Sequence, residues 1–181
     1  ANRYTDRIFL ILLLVMSYRF SDFILGPMAM PFYQEAGFTK DQIALITNAF
    51  GISVSLAGAF IGGLLVYRYS TIVALSIGAI LVALTNLTFA ALAITGNDIV
   101  ALSLVIICDN LAQGVATAAL IAYLSSLTTK KFTATQYALL FLLATLPARF
   151  IASSSGFIVD AVGYFSFFIY AAAMGMPAIF I

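Results

Sequence analysis

The chain has 181 residues, of which 64% are hydrophobic and 8% are charged, with a mean hydropathy of +1.12. A soluble domain carries about a quarter charged residues, so this composition excludes a water-exposed surface and predicts an integral membrane protein. The net charge of +1 argues against a nucleic-acid partner, which requires a basic face. Histidine is absent, so we expect no metal ion and no cofactor.

Six apolar segments are long enough to cross a bilayer, which takes about 20 residues. The breaks between them are short, so neighbouring helices must run antiparallel. We therefore predict one all-α domain over residues 1–181, a bundle of six transmembrane helices. The predicted spans are 7–32, 42–66, 71–94, 98–127, 134–159 and 164–181.

Local signals mark several helix ends. Thr39 stands three residues before Gln42, which is the spacing of a capping box. Asn97-Asp98 can start the fourth helix, and Thr133 or Thr135 can start the fifth. The single cysteine, Cys108, lies in an apolar run and is predicted to be a small buried packing residue. Three prolines should distort the helices that contain them: Pro27, Pro31 and Pro147.

The basic residues near the ends of the spans predict the orientation, because cytoplasmic loops carry an excess of lysine and arginine. Lys40 is the basic residue on one side of the bundle. We expect the opposite side, with both ends of the chain, to face the cytoplasm. The basic residues of that side are Arg3, Arg7, Arg68, Lys130 and Lys131.

Four charged side chains fall inside the apolar spans, where charge is costly and usually marks a transport pathway. Arg19 and Asp22 share one face of the first helix, since they are three residues apart. Asp109 lies halfway along the fourth helix, and Arg149 lies past the middle of the fifth. Their similar depths predict one central cavity with two cations and two anions. On the fourth helix a polar stripe continues through Asn110, Gln113 and Thr117.

A purely structural interpretation of these charges stays open, in which salt bridges only hold helices together. The two interpretations are compatible, because a gate can itself be a salt bridge. Two polar residues on other helices are equally open: Asn48 and Asn86 either face the cavity or hydrogen-bond across a helix interface. Small residues follow Asn48 at helical spacing and predict close helix packing. They are Gly51, Ser55, Gly58 and Gly62.

Six stretches of the chain carry a resemblance to a known family. They read ILLLVMSYRFSD at 11–22, GFTKDQIALITNA at 37–49, GAFIGGLLVYRYS at 58–70, DNLAQGVAT at 109–117, KFTATQYALL at 131–140 and GFIVDAVGY at 156–164. Together they are similar to the C-terminal half, helices seven to twelve, of the AmpG-type muropeptide permeases of the major facilitator superfamily. One departure is TLPARFIASSS at 145–155, where relatives are often rich in glycine, so substrate preference could differ there.

The resemblance implies proton-coupled import of GlcNAc-anhydroMurNAc and its peptide-bearing forms across the bacterial inner membrane, for peptidoglycan recycling. It also implies a second, N-terminal six-helix half, because a facilitator-type site lies between two halves. The chain starts without methionine, and we expect six more helices either before Ala1 or from a partner copy.

The cargo implied by the resemblance is an anionic glycopeptide, and this assigns roles to the polar residues. Arg19 and Arg149 are the expected counter-charges for substrate carboxylates. Sugar hydroxyls and amides are expected to hydrogen-bond to Asn48, Asn110 and Gln113. We expect Asp109 to carry the coupled proton, with Asp22 as the second choice, because Arg19 shares the face of Asp22.

Other functions remain as alternatives. The same scaffold could import a different anionic solute, such as a siderophore or an acyl-CoA. An intramembrane aspartyl protease is more distant, because the Gly-x-Gly-Asp signature of that class is absent and Asp109 follows Ile-Ile-Cys. We therefore predict that the protein is not an enzyme.

Overall fold

The computed structural model describes residues 2–128 and 133–175, with side chains described from residue 11 onward except at 133, 144 and 148. Within these ranges the chain forms six α-helices, each containing a segment long and apolar enough to cross a membrane. The predicted all-α membrane fold is therefore confirmed. The helices are α1 (Asn2–Glu35), α2 (Lys40–Arg68), α3 (Thr71–Thr95), α4 (Ile99–Leu127), α5 (Thr133–Ala152) and α6 (Ser155–Gly175).

The caps predicted for α2 and α4 are confirmed, and at α4 the capping residue is Asp98. The Thr39 hydroxyl accepts a hydrogen bond from the backbone N–H of Gln42, and the Gln42 side chain accepts one from the N–H of Thr39 at 2.9 Å. The Asp98 carboxylate accepts from the N–H of Val100 at 2.8 Å. These bonds satisfy backbone donors that the first turn of a helix leaves without partners.

The boundary between α5 and α6 differs from the predicted break at Asp160–Gly163. Helix α5 already ends at Ala152, because the hydroxyls of Ser153 and Ser154 donate to backbone carbonyls three residues earlier, each at 2.6 Å. Such local bonds compete with continued helix formation. A second interruption occurs within α6 at Gly163, whose φ of 75° lies in the left-handed region that favours glycine.

The prolines do not end their helices. Helix α1 runs through Pro27 and Pro31, and α5 runs through Pro147. Each proline lacks a backbone donor. In a membrane helix, neighbouring helices can compensate for such a loss.

The glycines at the contact between α2 and α4 allow the two backbones to meet directly. A Cβ at Gly58 would collide with the carbonyl oxygen of Leu111, and one at Gly62 would lie 2.7 Å from the carbonyl oxygen of Val115. From the other side, Gly114 faces the backbone of α2 in the same way. The predicted close packing of small residues is confirmed, and we call Gly58, Gly62 and Gly114 the glycine contact.

Two clusters of buried apolar side chains lie along the bundle. One is rich in aromatic rings and includes Phe32 of α1, Phe89 of α3 and Phe168 of α6. The other is built from smaller residues, such as Val15 and Ala116. Along α1 and α4 the polar residues fall where one cluster gives way to the other, so packing on both sides holds them in place.

Cys108 is exposed, so the predicted burial is wrong. It borders a small cavity between α3 and α4, beside Leu84 and Thr88. The apolar sequence around a residue does not reveal burial in a membrane protein, because surfaces that face lipid are as apolar as the core.

The orientation stays a prediction. Lys130 and Lys131 lie outside the described residues, and so do the side chains of Arg3 and Arg7. Of the residues on which it depends, Arg68 and Lys40 are described, and both are exposed at opposite ends of α2.

Candidate functional site

The polar stripe of α4 meets the charged pair of α1. Arg19 donates from Nη1 to Oδ2 of Asp22 at 2.9 Å, and the side chains are only 15% and 13% exposed. The second amino group of Arg19 donates to the hydroxyl of Thr117 at 3.0 Å. The amide of Gln113 donates to the other carboxylate oxygen of Asp22 at 2.6 Å. Both charges are thereby paired and hydrogen-bonded, which is the condition under which buried charge is tolerated.

The same stripe also connects α4 to α2 and α3. The hydroxyl of Ser55 donates to Oδ1 of Asn110 at 2.9 Å, and the Asn110 amide donates to the carbonyl of Ile106. On the other side of the stripe, the Thr85 hydroxyl lies 3.3 Å from Oδ1 of Asp109 and 2.9 Å from the carbonyl oxygen of Val82, and it can donate to either. The partners of Asp109 are the neutral side chains of Thr85 and Gln113, and no cationic side chain pairs with it in the described parts of the chain.

Arg149 reaches the site from α5 by a different route. Its guanidinium lies over the ring of Phe23, 5.0 Å from the ring centroid, which is within range of a cation–π contact. The side chain is exposed, and it makes no ion pair with any side chain that the structure describes. Arg149 and Asp22 border the same cavity of about 450 Å³. Of the two predicted counter-charges, Arg149 is thus the one with an unpaired guanidinium.

Asn48 faces open space rather than a neighbouring helix. It borders a cavity of about 580 Å³ between α2 and α4, which is open on one side. We call this the amide cavity, because amide and hydroxyl groups line its polar part. They belong to Thr47, Asn48, Ser55, Asn110, Gln113 and Thr117.

A third cavity, of about 340 Å³, lies between the other two. Asp109 borders it, together with Tyr33 of α1 and Asn48 of α2. The predicted proton-coupling residue is therefore next to space that a ligand or water can enter. We call this the middle cavity, and the one bordered by Arg149 the arginine cavity.

The opposite face of α1 is fixed by a buried polar chain. The amide of Asn86 on α3 donates to the hydroxyl of Ser21, and that hydroxyl donates to the carbonyl of Ala171 on α6 at 2.8 Å. Asn86 and Ser21 are both buried. Asn86 thus hydrogen-bonds across a helix interface, and its contact orients the neighbouring Asp22 toward α4.

The structure brings together most of the predicted site residues, but not as one set of four charges. Arg19, Asp22 and Gln113 form one network, while Arg149 stands apart on Phe23. Arg19 borders none of these three cavities, and its guanidinium contacts Asp22 and Thr117.

Three positions escaped the sequence analysis: Ser21, Phe23 and Gly26. For Gly26 a signal was present, because it lies four residues after Asp22 and so shares its helix face. Ser21 and Phe23 depend on which neighbours surround α1, and the sequence alone does not give those neighbours.

Six helices of membrane length, with polar side chains of α1 and α4 bordering cavities, define a multi-pass membrane protein whose six helices fit one half of a major facilitator fold. No family model matches the chain. It is 36% identical over 171 residues to transporter AmpG 4 of Rickettsia conorii, and 30% identical over 171 residues to the anhydromuropeptide permease of Escherichia coli. It is also 29% identical over 174 residues to transporter AmpG 1 of Rickettsia prowazekii.

These matches cover 94%, 94% and 96% of the chain, respectively. The chain is a homologue of the AmpG-type transporters along nearly its whole length, which confirms the family predicted from its sequence. It spans 41%, 35% and 39% of the length of these three relatives.

Proposed function

We propose that the chain forms the C-terminal half of a proton-coupled transporter that imports muropeptides for peptidoglycan recycling. The cargo would be GlcNAc-anhydroMurNAc and its peptide-bearing forms, carried from periplasm to cytoplasm across the bacterial inner membrane. The observation that carries this proposal is an unpaired arginine and a half-buried aspartate beside adjoining cavities, in a homologue of an anhydromuropeptide permease.

The working unit in this proposal contains a second six-helix half. The relatives are long enough to hold it, and the amide cavity is open on one side. In facilitator-type transporters the substrate lies between two halves that rock around it. Both ends of the present chain would face the cytoplasm.

Arg149 is the group that we assign to the substrate carboxylate. Its planar guanidinium can bind a carboxylate through two parallel hydrogen bonds. The ring of Phe23 holds the guanidinium from one side without using its N–H donors. An anionic solute would therefore find the donors free.

Replacing Arg149 with glutamine should raise the KM for muropeptide uptake about ten- to a hundredfold, since a hydrogen bond to a charged group contributes about 1.5–3 kcal/mol. Arg149→Lys keeps the charge but loses the fork, so it should recover only part of the affinity. Uptake by the full-length transporter in proteoliposomes is the measurement. Arg68→Gln, at an exposed position at the end of α2, is the matched control. An unchanged KM for Arg149→Gln at normal protein amount would contradict the assignment.

Asp109 is our choice for the proton carrier. Asp22 is paired with the cationic Arg19, whereas among the described residues Asp109 has only neutral partners, the side chains of Thr85 and Gln113. A carboxyl can bind a proton in one conformation and release it in another if its surroundings change between them. Because Asp109 borders the middle cavity, a rocking motion that opens and closes this cavity would alter its surroundings.

Replacing Asp109 with asparagine should abolish uphill accumulation driven by a proton gradient, while exchange of labelled for unlabelled substrate persists. The asparagine keeps the shape of the side chain but cannot take up and release the proton. Accumulation and counterflow in the same proteoliposomes separate the two activities. Asp160→Asn changes an exposed aspartate and serves as the control. Uphill accumulation at the level of the unsubstituted protein would rule out Asp109 as the carrier.

The cargo itself is tested by competition. Labelled GlcNAc-anhydroMurNAc should enter proteoliposomes that carry the full-length protein, and unlabelled muropeptides should compete. If a siderophore or an acyl-CoA competes while muropeptides do not, the assigned substrate is wrong, but the assignment as a transporter stands. Release of a cleaved product without uptake would instead favour the enzyme alternative.

A further inference from the structure

We propose that the arginine cavity and the amide cavity are the two ends of one elongated binding groove, joined at Gly26, and that Gly26 sets how long a ligand the groove accepts. The ligand class is an extended solute with a carboxylate at one end and hydroxyl or amide groups at the other. This inference rests on the proposed function and deepens it.

The cavities are connected through residues that they share. Thr47, Asn48 and Asn110 border both the amide cavity and the middle cavity. Gly26 borders both the middle cavity and the arginine cavity. A ligand that touches Asn110 at one end and Arg149 at the other must therefore pass the bare backbone of Gly26.

Neither packing against the described residues nor backbone conformation accounts for glycine at this position. A Cβ on Gly26 would meet no described atom within 4 Å, in contrast to those on Gly58 and Gly114. Its φ is not positive, unlike that of Gly163, so another residue type would fit the helix. Glycine is a poor helix former in comparison with alanine. The feature left to explain it is the open space that the missing side chain leaves between two cavities.

The chemistry of the two ends differs. The unpaired guanidinium of Arg149 selects an anionic group, whereas Asn48 and Asn110 provide amide donors and acceptors. A sugar with acetamido groups suits the amide end, and the carboxylates of an attached peptide suit the arginine end. A disaccharide can remain on the amide side, but its peptide-bearing form must cross Gly26.

The test compares Gly26→Val with the unsubstituted full-length transporter, using GlcNAc-anhydroMurNAc with and without a tripeptide. Steric blocking at Gly26 should raise the KM of the peptide-bearing form about tenfold or more. Tenfold is about the lower limit of the discrimination that one extra methylene group produces in a binding pocket. The KM of the disaccharide should stay nearly unchanged. Gly63→Val is the matched control, since a Cβ on Gly63 also meets no described atom and Gly63 borders none of the three cavities. Equal effects of Gly26→Val on both substrates, or no effect on either, would overturn the inference.

A second measurement does not require the helix to tolerate valine, and its reactivity step does not require the cargo. With Cys108→Ala to remove the native thiol, Gly26→Cys should react with a negatively charged, water-soluble methanethiosulfonate, and the peptide-bearing muropeptide should protect it better than the disaccharide. An unreactive Gly26→Cys, or equal protection by both ligands, would overturn the groove. If the unsubstituted transporter binds no muropeptide at all, the proposed function fails instead, whereas a reactive Gly26→Cys would still support the groove.

Discussion

Replacing Arg19 with glutamine is expected to lower the free energy of unfolding by about 3–5 kcal/mol, the usual cost of removing one partner of a buried ion pair. The substitution leaves the Asp22 carboxylate with the amide of Gln113 alone, at a position that is only 13% exposed. It also removes the donor to Thr117, so α1 loses one hydrogen bond to α4 in addition to the ion pair within its own helix. Denaturant unfolding of the purified full-length protein in detergent measures the effect, and Lys40→Gln at the exposed start of α2 is the control.

A double substitution separates charge from packing in this result. Arg19→Gln combined with Asp22→Asn removes both charges, so it should recover most of the stability that the single change loses. If Arg19→Gln alone is as stable as the unsubstituted protein, the pair does not hold α1. A double variant no more stable than Arg19→Gln would show that hydrogen-bond geometry, rather than uncompensated charge, sets the loss.

Replacing Gly58 with alanine should destabilise the bundle by about 1–3 kcal/mol, because the new methyl group overlaps atoms that cannot rotate away. The nearest atom is the backbone carbonyl oxygen of Leu111, and the Cα of Gly114 lies 3.1 Å from the added Cβ. Relief requires α2 and α4 to move apart along their whole contact. Thermal unfolding in detergent is the measurement.

Gly63→Ala is the matched comparison for this prediction. Gly63 lies on the same helix five residues further on, and a Cβ there meets no described atom within 4 Å. It should be neutral or slightly stabilising, since alanine favours helix more than glycine does. Equal stability of the Gly58→Ala and Gly63→Ala proteins would mean that the glycine contact is looser than the structure indicates.

The sequence predicts the bundle well because the physical signals for it are local. A bilayer-long apolar run can satisfy its backbone only as a helix, and the caps at Thr39 and Asp98 depend on neighbours two or three residues away. The end of α5 was predicted at the wrong residue, because the apolar run continues beyond Ala152. The serine hydroxyls that compete with backbone hydrogen bonding there do not change the hydropathy enough to mark the end. Hydropathy could not predict the exposure of Cys108 either, since it does not distinguish a residue that faces lipid from one in the core.

In the candidate site, contacts within one helix were predictable from the sequence, whereas contacts between helices were not. Arg19 and Asp22 pair within one helix, so their spacing predicts their contact. The sequence correctly places the polar residues of α4 on one face. It does not reveal that their partners on other helices are Ser55 and Thr85. The contact of Arg149 with Phe23 joins residues far apart in the chain, and only the packing of α1 against α5 determines it.

The glycine contact has a mechanical consequence for recognition. Where backbone touches backbone, no side chain can change rotamer to let one helix slide over the other, so α2 and α4 should move as one rigid body. Asn48 on α2 and Asn110 on α4 would then keep a fixed separation while other helices rock. A solute must then have hydrogen-bonding groups at that fixed distance to bind both side chains, at every stage of the transport cycle.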